Sequence, residues 1–491
     1  MTLNNILESN EVFKLQNYIG GKLIEPISKT YIDNFEPATG KVYSLIPNSN
    51  IDDVNLAVIE ANKAKEKWAN TSVEDRHKIL MKISYLIEDN LDLFAEAESK
   101  DNGKPEKLAA KVDIPRAVQN FQFFATAILH YNSSASETIG TAINYTLNQP
   151  IGLVGCISPW NLPLYLFTWK IAPALAAGNC VIAKPSEITP LTSYLLSIVC
   201  IEAGLPAGVL NIIHGNGADV GEAIVSNDEI KAISFTGGTS TGAKIASIAA
   251  PKFKKLSLEL GGKNPNIIFA DCNYEEMLKT TILSSFSNQG QICLCGSRIF
   301  VEKSIYAKFK NDFVKLVSEL KVGDPKNSNT RIGALVSQSH FEKIQYYIDL
   351  AKSEGGTILT GGKVGKIEGR CENGWFIEPT VIEGLTYDCR TNQEEIFGPV
   401  VTIMSFETEE EVLKYSNSTQ YGLSATVWTE NISKANRIVT KLDVGIIWVN
   451  TWLLRDLRTP FGGVKNSGVG REGGFYALDF FTEKKNVCIK Y

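Results

Sequence analysis

The rhythm of apolar and polar positions changes three times along this chain. The stretch "YIGGKLIEPISKTYIDNFEPATGKVYSLIPNS" alternates over short runs broken by Gly and by a Pro-Ala-Thr-Gly turn, which predicts short strands. Next, "SNIDDVNLAVIEANKAKEKWAN" and "SVEDRHKILMKISYLIEDNLDLFAEAESKDNGKP" place apolar residues three and four apart with charges between them. That is the period of surface helices, and Gly-Lys-Pro punctuates their end. From "PIGLVGCISPWNLP" onward, the apolar runs "GLVGCIS", "CVIAKP", "LNIIHG" and "AISFTGG" alternate with helix-like segments such as "LTSYLLSIVCIEAG" and "DVGEAIVSN". Repeated βα units on a mostly parallel sheet are expected. The texture returns less regularly from "KNPNIIFADC" to about "KLDVGIIWVN", and no short-period repeat or low-complexity tract is found.

Two segments stand outside this rhythm. "HYNSSASETIGTAINYTLNQP" reads as an exposed hairpin and the terminal "FFTEKKNVCIKY" as a strand. Neither has an obvious sheet of its own, so both are expected to pair with another subunit.

At 491 residues the chain exceeds what one hydrophobic core supports, and 44% apolar residues are enough to fill two or more lobes. The net charge is -5 and the basic residues are dispersed, which argues against a nucleic-acid partner. No run of eighteen apolar residues occurs, and "MTLNNILESNEVFKLQNYIGGK" lacks the parts of a secretory signal. A soluble, cytoplasmic protein with no membrane partner is expected. The nine cysteines are odd in number and scattered, so reduced thiols are the default.

Within "NQGQICLCGSR" two of them, Cys293 and Cys295, sit one residue apart. A metal clip would need further soft or imidazole ligands, yet His77, His130, His214 and His340 are dispersed, so no metal is expected. Burial for packing and a nucleophilic thiol both remain open on the pattern alone. Glycine-rich turns, "GNGADVG" after "LNII" and "TGGTSTG" after "AISF", could bring backbone N–H groups to a phosphate, although neither is the standard dinucleotide fingerprint. In "VIAKPSE", Lys184 and Glu187 could bracket the vicinal hydroxyls of a ribose, the plain alternative being a surface ion pair. A carboxylate there would repel a 2′-phosphate, which points to NAD. In "LSLELGGKNP", Glu259 stands in a nearly apolar run, where burial raises a carboxyl toward the range of a general base, unless a partner holds it down.

Seven phrases in order, "PWNLPLYLFTWKIAPALAAGN", "KPSEITPLT", "FTGGTSTG", "LELGGKNP", "NQGQICL", "EEIFGPV" and "PFGGVKNSGVGREGG", resemble the aldehyde dehydrogenase superfamily over essentially the whole chain. The resemblance implies an α/β fold of two Rossmann-like parallel-sheet domains plus a small β oligomerisation arm. The implied division is 1–127 and 150–261 for NAD binding, 262–461 for catalysis, and 128–149 with 471–491 for the arm, in a homodimer or homotetramer. Cys293 matches the catalytic thiol, Glu259 the general base, and Asn161, with the backbone N–H of Cys293, the oxyanion donors. Glu395 and Phe397 match the nicotinamide-side residues and Lys184 and Glu187 the adenosine-ribose contacts. Ile157, Ser158, Pro159, Trp160, Ser186, Gly217, Phe235, Thr236, Gly237, Gly238, Leu260 and Gly261 complete the implied cofactor site. Cys295 is left as a bystander.

For the substrate, "KVDIPRAVQNFQFF" and "NTWLLRDLRTPFGG", with "QICLC", resemble the branch that oxidises 2-aminomuconic and 2-hydroxymuconic semialdehydes. Arg116 and Arg455 match its carboxylate-gripping arginines, and Trp169 is placed beside them. The plain alternative is that each arginine snorkels to solvent. Amino and hydroxy substituents are not separable by this reading. The competing functions are a dehydrogenase of broader or betaine-aldehyde type, a cysteine hydrolase that needs no nicotinamide, and a non-catalytic binding protein on the same fold.

Overall fold

The structure is a computed structural model describing residues 12–491. Residues 1–11, which open the 1–127 segment and begin the stretch read above for a secretory signal, lie outside the described residues.

The first sheet is built on five parallel strands in the spatial order Lys255–Glu259, Ile230–Thr236, Leu153–Ile157, Cys180–Lys184 and Leu210–Ile212. Both faces are covered, so Leu153–Ile157 and Cys180–Lys184 are buried at every position, which is why they read as unbroken apolar runs. The order reverses at Leu153–Ile157, and a crevice opens outside the carboxyl ends of the strands at such a point. One edge is extended by the hairpin Asn17–Ile19 and Lys22–Ile24, the other by Gly468–Val469, both antiparallel.

Local chemistry sets the helices around it. Asn50 and Asp53 form a reciprocal capping box on Ile51–Ala69, and the Ser72 hydroxyl caps Val73–Asp89. Ile114–Ala127 carries Arg116 and packs against Pro163–Ala176, a helix buried on all sides because it lies between sheet and outer helices.

The second sheet runs Thr357–Thr360, Thr380–Glu383, Val400–Phe406, Arg298–Glu302, Pro265–Ile268, Ser424–Trp428 and Ile446–Val449, parallel except at its first strand. It has cores of its own. Where the two units meet, Leu162, Tyr165, Leu166, Ile292, Leu294 and Phe461 form an apolar seam.

A third sheet corrects one expectation. The two strand-like pieces outside the βα rhythm do not lack a sheet: Ala142–Pro150 pairs with Thr482–Lys490 over nine residue pairs, and with Ala135–Thr138 on its other side. Strands more than 300 residues apart satisfy each other's ladder within the chain, an economy that sequence alternation cannot show because it carries no partner information.

Candidate active site

The carboxyl ends of the first sheet deliver Ile157, Lys184, Thr236 and Glu259 to one side of the molecule. A cleft of ≈ 840 Å³ follows them, lined by Ile157, Ser158, Pro159, Trp160, Lys184, Ser186, Glu187, Gly217, Phe235, Thr236, Gly237 and Gly238. Lys184 Nζ donates to Glu187 Oε2 (2.8 Å). Burial alone would raise the Glu187 carboxyl, but the charge and hydrogen bond of Lys184 hold it below the usual range. A Cβ at Gly217 or Gly238 would point into open space, so bare main chain fronts the cleft.

The cleft runs into a second cavity of ≈ 250 Å³ lined by Trp160, Asn161, Leu260, Gly261, Cys293, His340, Lys343, Glu395 and Phe397. Glu395 Oε1 accepts from the Gly262 N–H (2.7 Å), while burial raises its pKa against the pull of Lys343 and Lys263. Phe397 has left-handed backbone (φ 64°), and its carbonyl meets His340 Nε2 at 2.7 Å. Burial holds the His340 pKa down to about 4, so the imidazole is neutral and donates through Nε2. Its ring and that of Phe397 both meet Trp160 edge-on, at 4.9 and 5.3 Å.

The segment before Cys293 is fixed by side-chain amides. Asn288 and Gln289 are both left-handed (φ 51° and 57°), which their buried amides offset: Asn288 Nδ2 donates to the Asn161 carbonyl (2.8 Å) and Gln289 Nε2 to that of Ala334 (3.1 Å). A Cβ on Gly290 would lie 2.2 Å from the Gly398 carbonyl oxygen, so only glycine fits there. Asn264 Nδ2 donates to the carbonyls of Cys293 (2.7 Å) and Cys295 (2.9 Å). Asn161 Nδ2 gives one proton to the Gln291 carbonyl (2.9 Å), which leaves the second N–H of that amide available.

Cys293 also belongs to a third cavity, lined by Val112, Leu162, Tyr165, Leu166, Glu259, Ile292, Leu294, Leu453, Arg455, Phe461 and Glu472. Burial raises the Cys293 thiol well above its ordinary value, and the carboxyls of Glu395 and Glu259 add to the shift. The same cause, with Glu472 beside it, raises Glu259 well above the carboxylate range; Lys170, Arg471 and Arg455 oppose. Glu259 Oε1 has no hydrogen-bond partner among the described residues, whereas Glu472 is spoken for by Lys170 (2.7 Å). Cys295 is buried and lines none of these cavities, its thiol raised to about 12.

Arg455 spans the inner cavity and an outer one of ≈ 930 Å³ whose wall includes Arg116. Neither guanidinium has an ion pair among the described residues. Arg455 lies 4.0 Å from the centre of the Phe461 ring and 5.0 Å from that of Trp169, and its Nη1 donates to the Tyr165 hydroxyl (2.5 Å). Arg116 stands over the same tyrosine ring at 5.8 Å, its pKa lowered by burial and by Arg455. Trp169 is 2% exposed and packs on Phe124 beneath Arg455, so it backs the arginine and is no part of either cavity wall. His340, Lys343, Tyr165 and Glu472 are the site residues that sequence reasoning passed over. The first two lie in Gln338–Ser353, whose amphipathic spacing reads as an ordinary surface helix.

Comparison with known proteins gives the same outline. The aldehyde dehydrogenase family matches residues 24–487. Human 2-aminomuconic semialdehyde dehydrogenase is 48% identical over 487 residues, 98% of this chain and 99% of that protein. The 2-hydroxymuconic semialdehyde dehydrogenase of Pseudomonas sp. (strain CF600) is 42% identical over 483 residues, 97% and 99% of the two chains. The NAD+ complex structure of an aldehyde dehydrogenase from Bacillus cereus superposes with a TM-score of 0.96 at 36% identity, covering 100% of this chain and 99% of that one. The chain belongs to the aldehyde dehydrogenase family and is an aldehyde-oxidising oxidoreductase.

Proposed function

We propose that the enzyme oxidises a semialdehyde with a distal carboxylate, 2-aminomuconic or 2-hydroxymuconic semialdehyde, to the acid with NAD as acceptor. One observation carries the reading: Cys293 lies in the walls of two cavities, one continuous with the strand-end cleft and the other leading to two arginines that have no ion pair among the described residues. The names of the muconic semialdehyde dehydrogenases and the NAD+ complex among its relatives support it.

The strand-end cleft fits a dinucleotide. Lys184 and Glu187 suit the adenosine ribose, the bare turns at Gly217 and Gly238 the pyrophosphate, and Glu395, Lys343 and Phe397 the nicotinamide end. When bound, NAD supplies the hydride acceptor and a positive ring near the thiol. Cys293 loses its thiol proton to solvent, and the thiolate adds to the aldehyde carbon. The oxyanion is received by the free N–H of Asn161 and by the main-chain N–H of Cys293, which is donated to nothing among the described residues. After oxidation of the thiohemiacetal, Glu259 takes a proton from the water that opens the thioester, and the acid leaves. At the far end the arginines hold the carboxylate. A quaternary ammonium would find the Phe461 and Trp169 faces already taken by Arg455.

The arm supports a homodimer or homotetramer. Its outer strand Ala135–Thr138 is exposed throughout, and Ile139, Ile143, Leu147 and Ile489 present apolar surface.

The test is NADH formation from 2-hydroxymuconic semialdehyde, hexanal and betaine aldehyde. The carboxylate-bearing substrate should lead in kcat/KM by about tenfold or more. Equal efficiencies would refute the substrate class, and no NADH from any aldehyde would refute the activity.

A further inference from the structure

Two guanidinium groups that share a half-buried corner repel each other, and burial makes that repulsion harder to screen. Here Arg455 lowers the pKa of Arg116, and neither arginine has an ion pair among the described residues. Both stand against the ring of one tyrosine. Tyr165 is 5% exposed, and its ring lies 5.8 Å from the Arg116 guanidinium and 5.9 Å from that of Arg455.

Its placement is built in. Asn120, one turn along the helix from Arg116, donates through Nδ2 to the Tyr165 carbonyl (3.0 Å) and to the Thr168 hydroxyl (3.0 Å). These buried bonds bolt the helix of Arg116 to the helix of Tyr165, so the two side chains keep one relation. The Tyr165 oxygen accepts from Arg455 Nη1 (2.5 Å), and its own proton has no acceptor among the described residues. A phenol whose lone pair is engaged by a cation becomes a better donor. Tyr165 lines the cavity that holds Cys293 and Glu259, so this free O–H is available to a ligand there.

We propose that Tyr165 is a specificity-determining residue: its hydroxyl orients Arg455 and donates a hydrogen bond to the substrate carboxylate, completing a three-point cradle with the two arginines. The proposal rests on the carboxylate-bearing substrate inferred above. It separates that site from a mere pair of cations, because a neutral donor adds direction that two flexible arms lack.

The test is Tyr165→Phe, which keeps the ring and removes one oxygen. Kinetics would be measured on 2-hydroxymuconic semialdehyde and on hexanal, beside wild type, Arg116→Ala and Arg455→Ala. The ratio of kcat/KM for the two aldehydes should fall by about tenfold in Tyr165→Phe, mostly through KM for the carboxylate-bearing substrate, since a grip made before and during reaction acts on binding. Inhibition by adipate, a dicarboxylate without an aldehyde, should weaken by a similar factor. An unchanged ratio in Tyr165→Phe while the arginine variants lose selectivity would overturn the role of Tyr165 alone. An equal fall on both aldehydes, or a fall in kcat only, would make Tyr165 a packing residue and overturn it as well. If wild type itself shows no preference for the carboxylate, the substrate reading fails before the tyrosine is at issue.

Discussion

The cavities on the two sides of Cys293 are made of different material. On the cofactor side the walls are turns that follow consecutive strands of one sheet, with main chain at Gly217, Gly237 and Gly238 facing the space. On the substrate side they are side chains from the helical stretch 112–116, the helix Pro163–Ala176, the loop around Cys293 and the loop 453–461. Backbone presented at strand ends is dictated by the topology of the sheet and suits a ligand that every member of such a fold can share. A wall of side chains is free to vary without disturbing any ladder, and it decides which aldehyde is taken. Chemistry common to both belongs to the thiol at their junction.

The largest effect should come from breaking that junction. Cys293→Ala is expected to lower NADH formation by about a thousandfold or more on every aldehyde, with NAD binding by fluorescence titration intact. Cys295, buried and outside the cavity walls, should tolerate Ala with a change of about threefold or less. A dead Cys295→Ala and an active Cys293→Ala would invert the assignment.

Glu259→Gln comes next, at about a hundredfold in steady-state turnover, with a burst of about one NADH per site before the slow phase. Burial and Glu472 raise the Glu259 carboxyl, so it is protonated below its shifted pKa and gains its base function only as pH rises through it. Turnover of the wild type should therefore climb as pH rises through that raised pKa, and the Gln variant should lose this limb of the steady-state profile. The same limb in both proteins would mean another group activates the water.

The two sides also differed in how far they were legible in the sequence. Lys184 and Glu187 lie in one phrase at one strand end, and the fold keeps them 2.8 Å apart, because local spacing survives folding. Glu259 was readable as a carboxylate in an apolar run, since the end of a buried strand leaves it no water. The substrate side has no such phrase. Tyr165 sits inside a helix buried on all sides, and only the docking of Arg455 from 290 residues away gives its hydroxyl a role. Trp169, one turn along the same helix, lies beside Arg455 as the arginine phrase implies, but beneath it and packed on Phe124, a depth that spacing along a helix buried on all sides does not display. The arm was legible as strands and illegible as a sheet, because Pro150 and Thr482 meet only in three dimensions.

A smaller and more selective effect should come from the substrate wall. Arg116→Ala or Arg455→Ala removes a charge-assisted contact and should cost roughly ten- to a hundredfold in kcat/KM on 2-hydroxymuconic semialdehyde, with a much smaller loss on hexanal. Arg458→Ala is the comparison: its guanidinium is satisfied by Asp456 (2.5 Å) and largely exposed, so both substrates should change by the same slight factor. Equal losses on both aldehydes for Arg116 and Arg455 would mean that these arginines support the fold.

The smallest effect tests the cofactor wall alone. Glu187 is ionised at neutral pH because Lys184 holds its pKa down against burial, so a 2′-phosphate on the adenosine ribose would meet a like charge. The Glu187 side chain is 33% exposed, and solvent and salt weaken the repulsion, which keeps its contribution modest. Glu187→Gln should therefore narrow the preference for NAD over NADP in kcat/KM by about tenfold. Part of that change should be a loss on NAD, whose ribose hydroxyls give up a charged acceptor, and part a gain on NADP as Lys184 is released toward the phosphate. Raising the salt concentration should shrink the wild-type preference and leave that of the variant nearly flat. With either cofactor, the ratio of efficiencies on 2-hydroxymuconic semialdehyde and hexanal should stay fixed, since Glu187 touches only the strand-end cleft. If that ratio moved with the cofactor variant, the two sides of Cys293 would be coupled, and the division of labour between backbone cleft and side-chain wall would have to be abandoned.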